Sequence, residues 1–75
     1  MHVRNNKYAR ELAARICYRM EELGINQLDL SERSGLPTAS ISCYCLGNAI
    51  PKADAVVALA SGLHMTTDAL INFTV

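Results

Sequence analysis

Apolar residues recur along the chain at the three- and four-residue spacing of an amphipathic helix, in segments separated by glycine or proline. No run alternates between apolar and polar residues with the two-residue period of a β-strand. The chain is therefore predicted to be all-α. The pattern predicts five short helices, over Tyr8 to Leu23, Gln27 to Ser34, about Thr38 to Leu46, Pro51 to Gly62 and, after a Thr66 cap, a last segment through Ile71.

Residues typical of helix ends lie between the first three segments. Gly24 and Gly35 follow the first and second helices, where glycine accommodates the positive φ that a chain reversal often needs. Asn26 is a good N-cap for the second helix, because its side chain can accept a hydrogen bond from the first turn. Pro37 sets φ for the start of the third helix but supplies no capping hydroxyl. We therefore expect a tight turn between the second and third helices.

The chain has 75 residues, of which 51% are hydrophobic, and it contains no tryptophan. No repeat or linker divides it, so residues 1–75 are predicted to form a single domain. No apolar run approaches the ~20 residues of a membrane span, and the first residues lack the apolar region of a signal peptide. An intracellular, cytoplasmic protein without membrane contact is therefore expected. Its core is predicted to include Leu30, Leu36, Ile41, Val56, Leu59 and Leu63.

The net charge is zero, but the charges are unevenly distributed. Residues 1–19 carry five basic residues and one acidic residue, which gives +4, whereas residues 20–75 carry two basic and six acidic residues, which gives −4. A basic N-terminal segment over residues 1–10 can meet a polyanion. Charge alone favours the simpler interpretation, a solvated helix face, and leaves the contact with a polyanion as the alternative.

The three cysteines do not have the spacing of a metal or catalytic site. Zinc sites use closely paired ligands such as Cys-x2-Cys, and the cysteines and histidines of this chain have no such spacing. On a helix Cys43 and Cys45 lie about 200° apart, so they cannot share a ligand cage or a disulfide. Cys45 falls on the inward face with Ile41, and Cys43 on the opposite face. We therefore expect no metal, no cofactor, no small-molecule ligand and no enzymatic activity.

An ordered set of residues over Gly24 to Ile71 resembles the lambda-repressor-like (Cro/XRE) helix-turn-helix family. With the first helix included, the resemblance covers about residues 10–71. It implies a five-helix fold in which helices 2 and 3 form the helix-turn-helix motif, over about residues 26–47. The matching positions are Gly24, Ile25, Gln27, Leu30, Ser31, Gly35, Leu36, Ile41, Ser42, Gly47, Pro51, Leu59, Leu63, Thr66 and Leu70.

The resemblance also implies a function and the residues that carry it. It implies sequence-specific binding of double-stranded DNA by a repressor-like transcriptional regulator, a homodimer with helix 3 in the major groove. The base-contacting positions would be Thr38, Ala39, Ser42 and Cys43, which the helical spacing independently places on one outward face. The phosphate-contacting positions would be Asn26, Gln27, Asn48, Lys52, Arg15 and Arg19. The dimer contact is expected at the C-terminal end. It would use Leu70 and Ile71, and also Phe73 and Val75 of the apolar tail 72–75.

Two features depart from the family pattern. Recognition faces usually carry Arg, Gln, Asn or Lys, which bond two base atoms at once, and this one carries none of them. Many relatives bury an Arg–Glu pair between helices 1 and 3, where this chain has Met20 and Cys45, two apolar residues. The uncharged face also fits an alternative function, in which the fold is a protein-interaction module such as a dimerisation domain, antirepressor or antitoxin component.

Overall fold

Five α-helices make up the part of the chain that the computed structural model describes, residues 7–71. No strand occurs in that range, so the predicted all-α, five-helix fold is confirmed. The N-terminal segment 1–10 is described only from Lys7, and the tail 72–75 lies outside the described residues. The helices are α1 (Lys7–Leu23), α2 (Gln27–Ser34), α3 (Thr38–Leu46), α4 (Ala53–Gly62) and α5 (Thr67–Ile71).

The predicted helix ends of α1 and α2 are confirmed. Gly24 and Gly35 adopt left-handed conformations, with φ of 69° and 79°. The Asn26 side chain accepts a hydrogen bond from the Asp29 N–H at 2.8 Å, and an Asp29 carboxylate oxygen accepts from the Asn26 N–H at 3.1 Å. This reciprocal capping box satisfies two backbone donors at the start of α2. Local residues therefore determine where these two helices stop and start.

The core lies between α1 and the other helices, since α1 packs against α3 and α5 while α2 packs against α3 and α4. Four of the six predicted core residues, Leu30, Ile41, Leu59 and Leu63, have no exposed surface. The other two predicted residues are half-buried and pack against that cluster. Within residues 7–71 no charged or polar side chain is buried. The largest fully buried side chains are Leu12, Ile16, Leu30, Ile41, Leu59, Leu63 and Leu70.

The end of α4 differs from the ends of α1, α2 and α3, because Gly62 is the last residue of the helix itself. The left-handed residue that follows is His64, with φ of 56°. The Met65 N–H donates to the Ala60 carbonyl at 2.9 Å and the His64 N–H to the Ser61 carbonyl at 3.2 Å, the bond pair of a Schellman motif. Gly62 is instead required by packing, because α2 passes very close to it.

A side chain at Gly62 would collide with α2. A Cβ there would lie 3.0 Å from Leu30 Cδ1 and 3.3 Å from the Ser34 backbone nitrogen. We expect Gly62→Val to lower the free energy of unfolding in urea by about 1–3 kcal/mol, because overpacking forces the two helices apart. Ser61→Val is the control, since it places the same side chain at the adjacent, exposed position. Equal stability of the two variants would contradict this account of Gly62.

Candidate nucleic-acid interface

The turn between α2 and α3 is held by hydrogen bonds from the end of α2. The Ser31 hydroxyl donates to the Leu36 carbonyl at 2.5 Å, and the Leu36 N–H donates to the Ser34 hydroxyl at 3.2 Å. The Gly35 N–H donates to the Ser31 carbonyl at 2.8 Å. With Pro37 fixed at φ −62°, these bonds leave the turn few alternative conformations. The angle between α2 and α3 is therefore set locally.

The outward face of α3, which we call the α3 face, consists of Thr38, Ala39, Ser42, Cys43 and Leu46. All of these except the half-buried Ser42 are exposed, and Leu46 is 68% exposed. On the opposite side Ile41 is fully buried, and Cys45 is half-buried against the core. The predicted division of α3 into two faces is therefore confirmed. Neither face carries a formal charge.

The N-terminus of α2 presents Gln27 and Leu28, both of which are exposed. The first N–H groups of a helix have no acceptor within it, and such an end attracts anions. The capping box weakens the attraction for anions, because the Asp29 carboxylate adds a negative charge in the first turn. It also uses the side-chain oxygen of Asn26, which leaves only the amide group of that side chain as a donor.

The loop after α3 packs against the start of α1. Gly47 ends α3 with φ of 74°, and a Cβ placed on it would lie 3.5 Å from both Cα and Cγ of Arg10. Asn48 and Lys52 are exposed on either side of the buried Pro51. The exposed Arg10 therefore lies beside Gly47, at the end of α3. The sequence placed Arg10 in the basic segment 1–10, but it did not show that α1 contacts the loop after α3.

The structure places Arg19 elsewhere, at the end of α4. Its guanidinium donates from Nε to the Leu63 carbonyl at 2.9 Å and from Nη2 to the His64 carbonyl at 3.1 Å. Nη1 lies 3.3 Å from a Glu22 carboxylate oxygen. These acceptors occupy the guanidinium, so we do not retain Arg19 among the proposed phosphate contacts. Arg15 lies four residues earlier on α1 and is half-buried.

The position of Arg19 predicts an effect on stability. Arg19→Gln should lower the free energy of unfolding by about 1–3 kcal/mol, because it leaves two carbonyls at the end of α4 without a charged donor. Arg33→Gln, at an exposed arginine of α2, should cost less than about 0.5 kcal/mol. Thermal and urea unfolding of both variants would measure the difference. Unchanged stability of Arg19→Gln together with weaker DNA binding would return Arg19 to the interface.

Cys45 contacts two residues of α1. Its Sγ lies 4.0 Å from Met20 Sδ, and the Cys17 thiol lies 3.9 Å from the Cys45 carbonyl oxygen. Burial, and secondarily the nearby Cys17 thiol, raises the pKa of Cys45 to about 12. Cys45 is thus a neutral thiol at neutral pH and a poor nucleophile. Among residues 7–71 no group of three His, Cys, Asp or Glu residues is arranged to hold a metal ion.

Leu70 does not belong to the expected dimer surface. This residue has no exposed surface, because it is part of the core between α1, α4 and α5. Its assignment to a dimer contact was therefore wrong. Ile71 is half-buried against the same core, and Phe73 and Val75 lie outside the described residues.

The arrangement of α2, a three-residue turn and an exposed α3 face defines a helix-turn-helix domain. The family model described as helix-turn-helix matches residues 18–70, which is more than half of the chain. The chain therefore belongs to the Cro/C1-type (XRE) helix-turn-helix family, and it is a DNA-binding domain. No curated protein and no solved structure matched the chain. None of the helices within residues 7–71 has the length and apolar character needed to cross a membrane.

Proposed function

We propose that residues 1–75 form one domain that regulates transcription as a repressor-like protein, by binding specific sequences of double-stranded DNA. The observation that carries this proposal is the α3 face, which stands clear of the core in a family that binds DNA. A helix fits the major groove, and readers of this class place the first residues of the second motif helix against base edges. Thr38, Ala39, Ser42 and Cys43 are the proposed base contacts.

Phosphate contacts are proposed at the start of α2 and in the loop after α3. At the start of α2, Gln27 offers a side-chain amide beside helix N–H groups, and Asn26 offers its remaining amide donor. In the loop after α3, Asn48 and Lys52 are exposed, and the exposed Arg10 lies beside Gly47. Arg15 adds a further contact from α1. These groups carry no sequence information, but they fix the register of α3 in the groove.

A homodimer is proposed because such domains bind paired half-sites about one helical turn apart. The C-terminal end remains the proposed contact, now through Ile71 and the tail residues Phe73 and Val75. Sedimentation of the full chain at micromolar concentration, with and without a two-half-site duplex, tests this part. A single bound protomer on that duplex would contradict it.

The test of DNA binding is fluorescence anisotropy with duplexes selected from a random pool. Gln27→Ala and Lys52→Gln should weaken binding to all sequences alike, and Lys52→Gln should reduce the slope of log K against log salt by about 1 per contact. Thr38→Ala should instead change the sequence preference. The control is Arg33→Gln. It removes one positive charge, as Lys52→Gln does, but near the C-terminus of α2, away from Gln27. Absence of binding to every duplex at low salt would refute the proposal.

A second candidate function is a protein-interaction module. The observation in its favour is the apolar surface near the end of α3, where Leu46 is 68% exposed and Ile50 is 40% exposed. If this function holds, Leu46→Ala should abolish self-association or partner binding, and no duplex should bind. The two candidate functions therefore predict opposite results in the same anisotropy assay.

A further inference from the structure

The groups on the α3 face are mostly apolar. Ala39, Cys43 and Leu46 follow at spacings of four and three residues, which places them along one side of the helix. Thr38 adds a methyl group, and its hydroxyl and that of Ser42 are the side-chain hydrogen-bonding groups of this face. The face therefore has much apolar surface, few donors and no charge.

This composition restricts what the face can distinguish in DNA. Discrimination of guanine uses Arg or Lys, and discrimination of adenine uses Asn or Gln, each bonding two base atoms. None of these residue types occurs in α3. The apolar group that the major groove offers is the C5 methyl of thymine, which alanine side chains and threonine methyls contact.

We propose that the α3 face recognises its DNA sites through thymine methyl groups, an inference that rests on the proposed DNA-binding function. From Ala39 to Cys43 the helix rises roughly 6 Å, which matches about two base-pair steps. Each half-site therefore contains thymines at about two neighbouring base pairs. The Thr38 and Ser42 hydroxyls add single hydrogen bonds to neighbouring base atoms.

The DNA side of the test removes only the methyl group. Duplexes selected from a random pool by the full chain are synthesised again with deoxyuridine in place of thymidine, which preserves base pairing and every hydrogen-bonding atom. Affinity should fall roughly fourfold for each contacted methyl group. The slope of log K against log salt should stay unchanged, since no phosphate contact is lost. Deoxyuridine in the flanking sequence is the matched control and should have no effect.

The protein side of the test removes the matching groups from the α3 face. Thr38→Ser deletes one methyl group and keeps the hydroxyl, and Cys43→Ser replaces the sulphur with oxygen at an exposed position. In each variant the penalty for deoxyuridine should shrink at one base pair and persist at the others. Cys17→Ser is the control, because it makes the same exchange at an exposed cysteine on α1.

The outcomes separate this inference from the function on which it rests. Selected sites rich in neighbouring thymines, with a deoxyuridine penalty that Thr38→Ser or Cys43→Ser reduces, would support it. Tight binding to selected duplexes without any deoxyuridine penalty would overturn the methyl recognition and leave DNA binding intact. Failure to select any duplex would overturn DNA binding itself, and the inference with it.

Discussion

Replacement of Ile41 with alanine should lower the free energy of unfolding by about 2–5 kcal/mol, because it opens a cavity where α3 meets the core. Ile41 is fully buried, and the other residues of α3 are half-buried or exposed. A chain of 75 residues is expected to have a total stability of about 4–11 kcal/mol. The substitution is therefore expected to remove a large fraction of the total stability and to move the unfolding midpoint to a lower urea concentration.

The control for this prediction lies on the same helix. Leu46→Ala removes a side chain of similar size at a position that is 68% exposed, and we expect it to change stability by less than about 0.5 kcal/mol. Urea unfolding followed by circular dichroism would give both values. If the two variants were equally stable, α3 would not be anchored through Ile41, and the division of the helix into two faces would be incorrect.

The second large effect concerns Met20 and Cys45, whose sulphur atoms are 4.0 Å apart. Met20 is 7% exposed, so Met20→Arg places a charge in the core without a partner. We expect this variant to lose about 3–5 kcal/mol of stability, comparable with leaving one member of a buried ion pair unpaired. Cys45→Glu should be destabilising for the same reason.

The double variant tests whether these two positions act as a pair. Met20→Arg combined with Cys45→Glu restores the ion pair of many relatives, and it should recover about 1–3 kcal/mol relative to the sum of the single effects. Cys43→Glu is the control on the exposed face of α3, and Met20→Arg should not be rescued by it. Strict additivity of the Met20 and Cys45 effects would show that the two side chains do not interact in the folded protein.

Features set by neighbouring residues were predictable from the sequence. The bounds of α2 and α3 agree with prediction because Asn26, Gly35 and Gly47 determine where the backbone enters and leaves a helix. The two faces of α3 follow from helical spacing alone, given one buried residue, Ile41. Each of these features depends on interactions within a few residues of the chain.

Features set by tertiary contact were not predictable from spacing. Arg19 reaches carbonyls 44 and 45 residues away in sequence, and Cys17 reaches Cys45 over 28 residues. Gly62 was expected only to end α4, because nothing in the sequence shows that α2 passes 3.0 Å from its missing side chain. Leu70, which has an apolar side chain near the chain end, could equally belong to a surface or to the core.

The division of α3 also determines how this domain can acquire new specificity. Because the side chains that face outward contribute little to the core, we expect substitutions such as Ala39→Asn or Cys43→Arg to cost little stability. Such changes introduce the bidentate contacts that the natural face lacks. Under the proposed function, mutation and selection can therefore change the preferred DNA sequence one residue at a time, while Ile41 keeps the helix in place.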